Sequence, residues 1–397
     1  MTYSRLTFII FAIAFFAGCT QTKEQPLGEV IDGALANAEQ QALLMAAKLA
    51  DDDGKLPGAF LNGQFTTINS GSWVSGFFPG LLWYLYEYDP KRELLDYARL
   101  YTARIEPEKN NTSTHDLGFM LYCSFGNGYR ITGDTAYRNI MLTGAASLST
   151  RYREHLGVIQ SWGKSAKWQY PVIIDNMMNL EFLFWAARAS GDKRFRDICI
   201  SHADRTIKEH FRPDYSTYHV VSFDTITGLP HAKQTAQGYA DESSWARGQA
   251  WGLYGFTMMY RETQDPAYLE QAKNIAGFLL HHPNMPADYV PYWDFNAPDI
   301  PDTYREASAG AIICSALIEL SGYVDAELSK EYLKVAEIQL RTLASPAFTA
   351  KTGENGDFIL MHSNGSVPGN SDVDTPLAYA DYYFVEALLR YRKLLEK

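Results

Sequence analysis

The sequence predicts an all-α protein, an (α/α)6 toroid in which an inner ring of six buried helices is wrapped by six outer helices. Six times along the chain, a polar or aromatic run with glycines opens an apolar helix, and most of these helices end in a Gly-Asp-like break before a second helix. A helix that is apolar on every side is buried on every side unless it lies in a membrane. The alternation typical of strands is confined to short stretches near 219–223 and 358–361.

The inner ring is predicted from the six apolar segments taken in chain order. Repeats at a roughly regular interval usually form stacked or closed arrays of one unit, and here the unit is a helical hairpin. The predicted inner helices are 73–88, 116–129, 175–187, 245–260, 303–320 and 379–391.

The outer ring is predicted from amphipathic segments that alternate with the apolar ones. Each has an apolar stripe for the inner ring and a charged face for solvent. These segments are 31–50, 90–105, 134–153, 192–210, 265–281 and 329–344.

The first 18 residues are predicted to be a signal peptide that directs export to the periplasm. Arg5 precedes an apolar run, 6–16, which is too short to span a bilayer. The small residues before Cys19 resemble a bacterial lipoprotein cleavage site, although Phe16 stands where such sites usually carry leucine. We therefore expect lipidation of Cys19 to anchor the protein to a membrane, the alternative being an ordinary cleaved secretory signal.

One catalytic domain, 30–397, is predicted to follow a linker at 19–29. A toroid grows by adding hairpins, so this length suits a single domain. The remaining cysteines, Cys123, Cys199 and Cys314, are odd in number and lie in apolar helices, which favours buried free thiols. The net charge of -11 argues against a nucleic-acid partner, while aromatic residues at 14% of the chain suit a carbohydrate cleft.

Two aspartates stand at equivalent places in consecutive inner helices. Asp116 and Asp175 open the second and third of these helices, whose axes should lie about 8 to 10 Å apart, so both carboxylates could face one gap. Apolar surroundings raise the pKa of a carboxylic acid and let it donate a proton near neutral pH. The alternative is that both are helix N-caps, but two in register, with His115 beside one, favour a catalytic pair.

A second group of polar residues leads into the fourth inner helix and runs from His219 through Gln237 to Arg247 and Trp251. Arg247 and Trp251 are four residues apart and share a helix face, which would place a guanidinium fork for a carboxylate beside a ring platform. The alternative for Arg247 is a salt bridge to Asp241 or Glu242. No spacing of residues indicates a metal site or a cofactor, and we expect neither.

Four motifs in the chain resemble those of the unsaturated glucuronyl hydrolases, glycoside hydrolase family 88. They are His-Asp-Leu-Gly-Phe at 115–119, Asp-Asn-Met-Met-Asn-Leu at 175–180, Trp-Ala-Arg-Gly-Gln-Ala-Trp-Gly at 245–252 and Ala-Asp-Tyr-Tyr-Phe-Val-Glu-Ala-Leu-Leu-Arg at 380–390. Trp-Ala-Arg-Gly-Gln recurs in other six-hairpin enzymes, but the four motifs occur together and in order. The similarity covers essentially the whole mature chain.

The resemblance implies a role for each candidate residue. Asp175 would be the general acid/base and Asp116 its essential partner. His115, His219, Gln237 and Arg247 would contact the uronate. Trp73, Trp162 and Trp251 would be ring platforms, with Trp168 as the alternative to Trp162.

The resemblance also implies the substrate and the reaction. The partners would be oligosaccharides left by polysaccharide lyases, whose non-reducing end is a 4,5-unsaturated uronic acid. Instead of attack at the anomeric carbon between two carboxylates, the enzyme would hydrate the double bond, with Asp175 protonating C4 and accepting a proton from the water that adds at C5.

Three alternatives remain open at the level of the sequence. Relatives that favour sulfated glycosaminoglycans tend to carry a serine pair and a lysine in the C-terminal loop, and this chain has Ser363 and Ser366 but Val367 and Pro368 where the lysine is expected. The serines would bind substrate or else belong to a solvated turn. An unsaturated rhamnogalacturonyl hydrolase would differ in substrate only, and a catalytically silent surface sugar-binding lipoprotein would belong to another class.

Overall fold

Twelve α-helices alternate between two concentric rings in the computed structural model, which describes residues 25–396. The even-numbered helices form the inner ring: α2 (Phe77–Tyr88), α4 (Asn127–Thr132), α6 (Leu180–Ser190), α8 (Ala246–Thr263), α10 (Ala307–Leu320) and α12 (Ala378–Leu395). The odd-numbered helices form the outer ring: α1 (Leu27–Leu49), α3 (Arg92–Ala103), α5 (Thr135–Ser149), α7 (Lys193–His210), α9 (Pro266–His281) and α11 (Ala326–Leu343). The predicted (α/α)6 toroid is confirmed.

The inner ring closes because α12 packs against both α10 and α2. The inner helices α8, α10 and α12 are buried along most of their length, as their apolar sequences predict, whereas α4 is buried only at Asn127 and Gly128. Two inner helices begin irregularly: a π-helix at Gly118–Gly126 precedes α4, and a 3-10 helix at Ile174–Asn179 precedes α6. Asp175 lies within the 3-10 helix, and Asp116 lies two residues before the π-helix.

The Gly-Asp breaks form the turns between the inner and outer helices. Gly133 and Gly191 adopt left-handed φ values of 71° and 77° directly after α4 and α6, a conformation that costs glycine no Cβ clash. Asp134 and Asp192 then accept backbone N–H hydrogen bonds at the starts of α5 and α7. Each break therefore ends one helix and caps the next.

Short strands lie at one end of the toroid. They are β1 (Leu56–Leu61), β2 (Gln64–Ile68), β3 (Tyr152–Arg153), β4 (Val158–Ile159), β5 (Pro171–Ile173), β6 (Val220–Phe223) and β7 (Pro230–Gln234). β1 pairs with β2, β3 with β4, and β5, β6 and β7 form an antiparallel sheet in that order. Of the two stretches with strand-like alternation, 219–223 supplies β6, while 358–361 contributes only an isolated bridge between Leu360 and Thr349.

The described residues cover only part of the predicted domain organisation. The predicted signal peptide 1–18, Cys19 and the first part of the linker lie outside the described residues, and α1 begins at Leu27, three residues before the predicted domain start at residue 30. Cys123, Cys199 and Cys314 are buried free thiols, as predicted. Within residues 25–396, no helix is long and apolar enough to cross a membrane.

Candidate active site

The carboxylate pair lies at the mouth of the barrel where the inner helices begin. A hydrogen bond from the Phe119 backbone N–H to the Asn179 side chain, 3.0 Å long, joins the segment after Asp116 to the segment after Asp175. Gly118 permits this close approach, because a Cβ there would lie 2.7 Å from the Asn179 Cα. The predicted meeting of the second and third helix openings is therefore present.

Asp175 is a buried carboxyl with an unusual pKa. It is 7% exposed, and its Oδ2 atom has no hydrogen-bond partner in the protein. Burial raises the pKa of Asp175 from 3.8 to about 7, with the charge of Asp116 adding to the rise, while Arg247 and the Trp251 indole oppose it. A group with this pKa donates and accepts protons near neutral pH.

The three-stranded sheet places His219 beside Asp175. Ile173 at the end of β5 pairs with Val220 at the start of β6, and the Ile174 N–H donates to the His219 carbonyl at 3.1 Å. The His219 Nε2 atom consequently lies 3.8 Å from Asp175 Oδ2.

The proton of His219 is fixed on Nε2 by the backbone of the next strand connection. Its Nδ1 atom accepts hydrogen bonds from the backbone N–H groups of Ala236 and Gln237 at 3.2 and 3.3 Å. Burial lowers the pKa of His219 well below 6.5, so the ring is neutral. A neutral ring that accepts at Nδ1 carries its N–H at Nε2, which makes His219 a donor aimed at Asp175 and the space beside it.

Asp116 is held by its own neighbours and is more exposed than Asp175. The Thr114 hydroxyl donates to Asp116 Oδ2 at 2.7 Å, and His115 Nε2 lies 3.3 Å from Oδ1. Burial lowers the pKa of His115. The prediction of apolar surroundings is correct for Asp175 but wrong for Asp116, which is 14% exposed and contacts polar side chains.

Arg247 lies beneath the cleft, and its terminal nitrogens are occupied. The guanidinium is 1% exposed, donates to the backbone carbonyls of Asn364 and Gly365, and lies 3.4 Å from Glu306. The alternative partners expected from the sequence, Asp241 and Glu242, are wrong. Arg247 anchors the C-terminal loop and adds a positive charge near Asp175, and the free fork expected for a uronate is not present.

The sequence missed Glu306, which completes this anchor. It is fully buried and directly precedes α10, accepting the Asn364 N–H at 3.1 Å and a hydrogen bond from the Ser308 hydroxyl. Burial raises the pKa of Glu306, against the opposing charge of Arg247. An acid at the opening of an inner helix, the feature that identified Asp116 and Asp175, could have found it.

The four candidate tryptophans differ in their burial and in their contacts. Trp73 is half-buried and packs on Tyr379 at a ring separation of 5.0 Å. The Trp162 ring lies edge-on to His219 at 5.8 Å and 5.4 Å from the Trp168 ring, so both tryptophans lie on the His219 side of the site. The prediction for Trp251 as a ring platform is wrong, because Trp251 is fully buried and packs on Phe119 and Tyr383.

A cleft of about 240 Å³, here called the outer cleft, lies between the β1–β2 hairpin and the loop 364–374. Trp73, Gln237, Ser366 and Tyr379 line it. Gln237 also donates to the Gly365 carbonyl at 2.8 Å, which ties the loop to the strand side of the cleft.

The two serines predicted to bind substrate lie in different surroundings. Ser363 is fully buried with its backbone paired to Thr375, so the prediction that it contacts substrate is wrong. Ser366 lines the outer cleft and begins the turn that returns to Ser371, so it is both a cleft residue and the expected turn residue.

Another cavity lies at the opposite end of the barrel, where the inner helices end. It measures about 470 Å³ and is lined by tyrosines together with Trp185 and Glu386. Glu386 accepts hydrogen bonds from the hydroxyls of Tyr84, Tyr254 and Ser315, so its carboxylate is engaged. The perturbed carboxyl of Asp175 and the oriented His219, with Trp162 beside it, lie instead where the inner helices begin. Among residues 25–396, no cluster of three or more His, Cys, Asp or Glu side chains could hold a metal ion.

Comparison with known proteins agrees with this geometry. The model of Glycosyl Hydrolase Family 88 matches residues 60–392. An unsaturated glucuronyl hydrolase from Formosa agariphila is 47% identical over 332 residues, covering 83% of this chain and 82% of that protein.

Solved structures give the same result. The crystal structure of an unsaturated glucuronyl hydrolase specific for heparin is 44% identical with a TM-score of 0.90 and covers 93% of this chain and 98% of that one. A mutant of the Streptococcus agalactiae unsaturated glucuronyl hydrolase, complexed with dGlcA-GalNAc6S, is 29% identical with a TM-score of 0.78 and covers 92% of each chain.

Proposed function

This chain belongs to glycoside hydrolase family 88, and we propose that it removes a 4,5-unsaturated uronic acid from the non-reducing end of oligosaccharides by adding water to the C4=C5 bond. The observation that carries the mechanism is Asp175, whose pKa burial raises to about 7 beside a neutral, oriented His219. A carboxyl with this pKa supplies both the acid and the base that hydration needs.

The reaction balances with one acid/base group and one water molecule. Protonated Asp175 donates its proton to C4, the π bond breaks, and positive charge develops at C5 beside the ring oxygen. Water adds at C5 and returns a proton to Asp175. The resulting hemiketal opens to a C5 ketone, and the hemiacetal formed at C1 expels the rest of the chain as an alcohol. Because the C1 centre becomes an aldehyde, neither retention nor inversion is defined.

Neighbouring groups tune and orient this chemistry. Burial is the main cause of the raised pKa of Asp175, and the charge of Asp116 raises that pKa further. The negative charge of Asp116 also stabilises the positive charge that develops at C5. His219 presents its Nε2–H next to Asp175 Oδ2, where it can donate to a substrate hydroxyl or carboxylate. Asp116 and His219 are both held in place before substrate binds, so little reorganisation is needed in the transition state.

Replacing Asp175 by asparagine tests the assignment. The amide keeps the shape but neither donates nor accepts the proton, so the rate of loss of the ultraviolet absorbance of the conjugated double bond should fall by roughly three or more orders of magnitude. The exposed Asp302→Asn is the matched control and should behave as wild type. Retention of more than about a tenth of the wild-type rate by Asp175→Asn would remove this residue from the mechanism.

The proposed substrates are disaccharides from glycosaminoglycans. Relatives of this chain are described as specific for heparin or were captured with dGlcA-GalNAc6S, and these are glycosaminoglycan units. A C4=C5 bond in a uronic acid is the product of β-elimination, so a polysaccharide lyase would supply the substrate. Turnover of unsaturated glycosaminoglycan disaccharides, but not of unsaturated rhamnogalacturonan disaccharides, is the expected result, and the reverse preference would contradict it.

We also propose that the protein is exported and anchored by lipid at Cys19. The support is the apolar run 6–16 after Arg5 and the small residues before Cys19. Cys19→Ala should release active enzyme from the membrane fraction of a Gram-negative host, because the toroid starts only at Leu27. A wild-type protein that is already released would favour the ordinary secretory signal.

A further inference from the structure

The cavity of about 470 Å³ at the opposite end of the barrel, here called the far cavity, shares no lining residue with the outer cleft within residues 25–396. Its deep end is lined by the buried Phe119 and Met178, and its solvent side by Glu87 and Lys393. The Phe119 ring packs at 5.6 Å on Trp73, which lines the outer cleft. Small-molecule pockets usually measure about 300 to 1,000 Å³, so the far cavity is large enough for a ligand of its own.

The charged side chains on the solvent side of the far cavity are paired with one another. Glu87 accepts hydrogen bonds from Arg130 at 2.6 and 3.0 Å and from Lys393 at 3.2 Å. Arg130 thereby binds both carboxylate oxygens of Glu87, the bidentate arrangement that makes such pairs strong. An incoming ion would have to compete with this pair.

The charged side chains deeper in the far cavity are paired as well. Glu386 lies 3.5 Å from Arg390, and Glu181 lies 2.5 Å from Arg261. A charged ligand would have to break one of these ion pairs or leave water without a counter-charge, and both changes cost free energy. The charges of the far cavity therefore favour a neutral ligand.

Two phenol hydroxyls in the far cavity have no hydrogen-bond partner within residues 25–396. Tyr383 is 3% exposed and Tyr122 is half-buried, and both line the cavity. The Tyr383 ring is held by edge-on contacts with Trp251 at 5.4 Å and Tyr254 at 5.5 Å, so the position of its hydroxyl is fixed. Because a buried hydroxyl without a partner is unfavourable, these two groups favour a ligand that donates and accepts hydrogen bonds.

Aromatic rings give the far cavity a flat apolar face beside these hydroxyls. Trp185 is stacked on Phe182 with an interplanar angle of 17°. Tyr122 and Tyr129 contact the Trp185 ring at 6.4 and 5.9 Å, and all three of these rings line the cavity. A sugar ring has an apolar face that packs on aromatic rings and hydroxyls at its edge, so it matches this arrangement.

We propose that the far cavity is a second binding site, separate from the catalytic site, for a neutral sugar of one or two rings. Trp185 contacts the apolar face of the sugar, and the hydroxyls of Tyr122 and Tyr383 form hydrogen bonds with its hydroxyl groups. The paired charges of the cavity disfavour sugars that carry a carboxylate or a sulfate.

Titration calorimetry of the whole protein with glucose, maltose and glucuronate tests this site. The double variant Tyr122→Phe/Tyr383→Phe keeps both rings and loses only the hydroxyls, so its dissociation constant for the two neutral sugars should rise about tenfold, the scale of two modest hydrogen bonds. Tyr239→Phe is the matched control, because it removes an exposed hydroxyl outside the far cavity, and it should bind both sugars as wild type does. Glucuronate should show no binding that the double variant removes.

No binding of either neutral sugar at about 10 mM, or an affinity unchanged in the double variant, would overturn the inference. Glucuronate binding that the double variant removes would also overturn it. If the double variant does not fold, tryptophan fluorescence replaces it: maltose should change the fluorescence of wild type, and Trp185→Phe should lose that change. A change that persists in full in Trp185→Phe would then be the contradicting result. Hydration at Asp175 does not enter these measurements, so the proposed function is tested separately.

Discussion

Asp175→Asn should make the protein more stable, and the gain should grow with pH. Burial raises the pKa of Asp175 from 3.8 to about 7, so the folded state opposes ionisation that the unfolded chain permits. The stability that a raised pKa provides is complete below the unfolded pKa and is lost as the pH rises to the folded pKa. The affected window therefore runs from about pH 4 to about pH 7, and above it the cost stays constant.

The size of the effect follows from the two pKa values. Ionising Asp175 costs the folded state roughly 1.5 kcal/mol at about pH 5 and roughly 4 kcal/mol at about pH 8, at about 1.4 kcal/mol for each pKa unit. Asparagine does not ionise, so the variant avoids this cost. The free energy of unfolding of Asp175→Asn minus that of wild type should therefore be about 2.5 kcal/mol larger at the higher pH than at the lower pH. Taking the difference between the two proteins cancels other buried acids such as Asp381, whose pKa burial also raises to about 7.

Guanidinium unfolding followed by tryptophan fluorescence at both pH values measures this difference. The exposed Asp302→Asn serves as the control and should show no pH-dependent gain. An Asp175→Asn protein whose free energy of unfolding equals that of wild type at both pH values would show that burial does not raise the pKa of Asp175.

Three further substitutions test the surroundings of Asp175. Asp116→Asn should lower the pKa of Asp175 and shift the kcat/KM profile toward acid, with a lower maximum; an unmoved profile would contradict the pairing. Trp251 is fully buried, so Trp251→Phe should lower the free energy of unfolding with little change in KM, whereas a large KM effect would restore Trp251 as a sugar platform. Arg247→Lys should lower the free energy of unfolding by about 1 to 3 kcal/mol and raise KM, because the loop carbonyls lose planar donors; unchanged melting would show that Arg247 does not anchor the loop.

The fold was readable from the sequence because periodicity reports burial. The six apolar segments coincide with the inner ring and the amphipathic segments with the outer ring, and the Gly-Asp breaks mark the turns between them. The irregular openings were not readable. The π-helix at Gly118–Gly126 and the 3-10 helix at Ile174–Asn179 depend on how neighbouring segments pack, which a sequence pattern does not report.

The site was readable where a residue type stands at a helix opening, and much less so where pairing is long-range. Asp116 and Asp175 were found by position. The sheet that delivers His219 joins β5 to β6 across some fifty residues of chain, and the partners of Arg247 on the C-terminal loop are 117 and 118 residues away. Spacing on one helix face suggested that Trp251 is a platform, but spacing does not tell which face of a wholly buried helix meets the cleft.

The most direct test of hydration by Asp175 is turnover of an unsaturated disaccharide in D₂O, followed by NMR with wild type and Asp175→Asn. If Asp175 protonates C4, wild type places one deuterium at C4 of the released uronic acid, together with loss of the double bond and release of the neighbouring sugar, and Asp175→Asn does none of these at a comparable rate. Release of the sugar with the C4=C5 bond intact and no deuterium at C4 would contradict hydration and favour ordinary attack at the anomeric carbon.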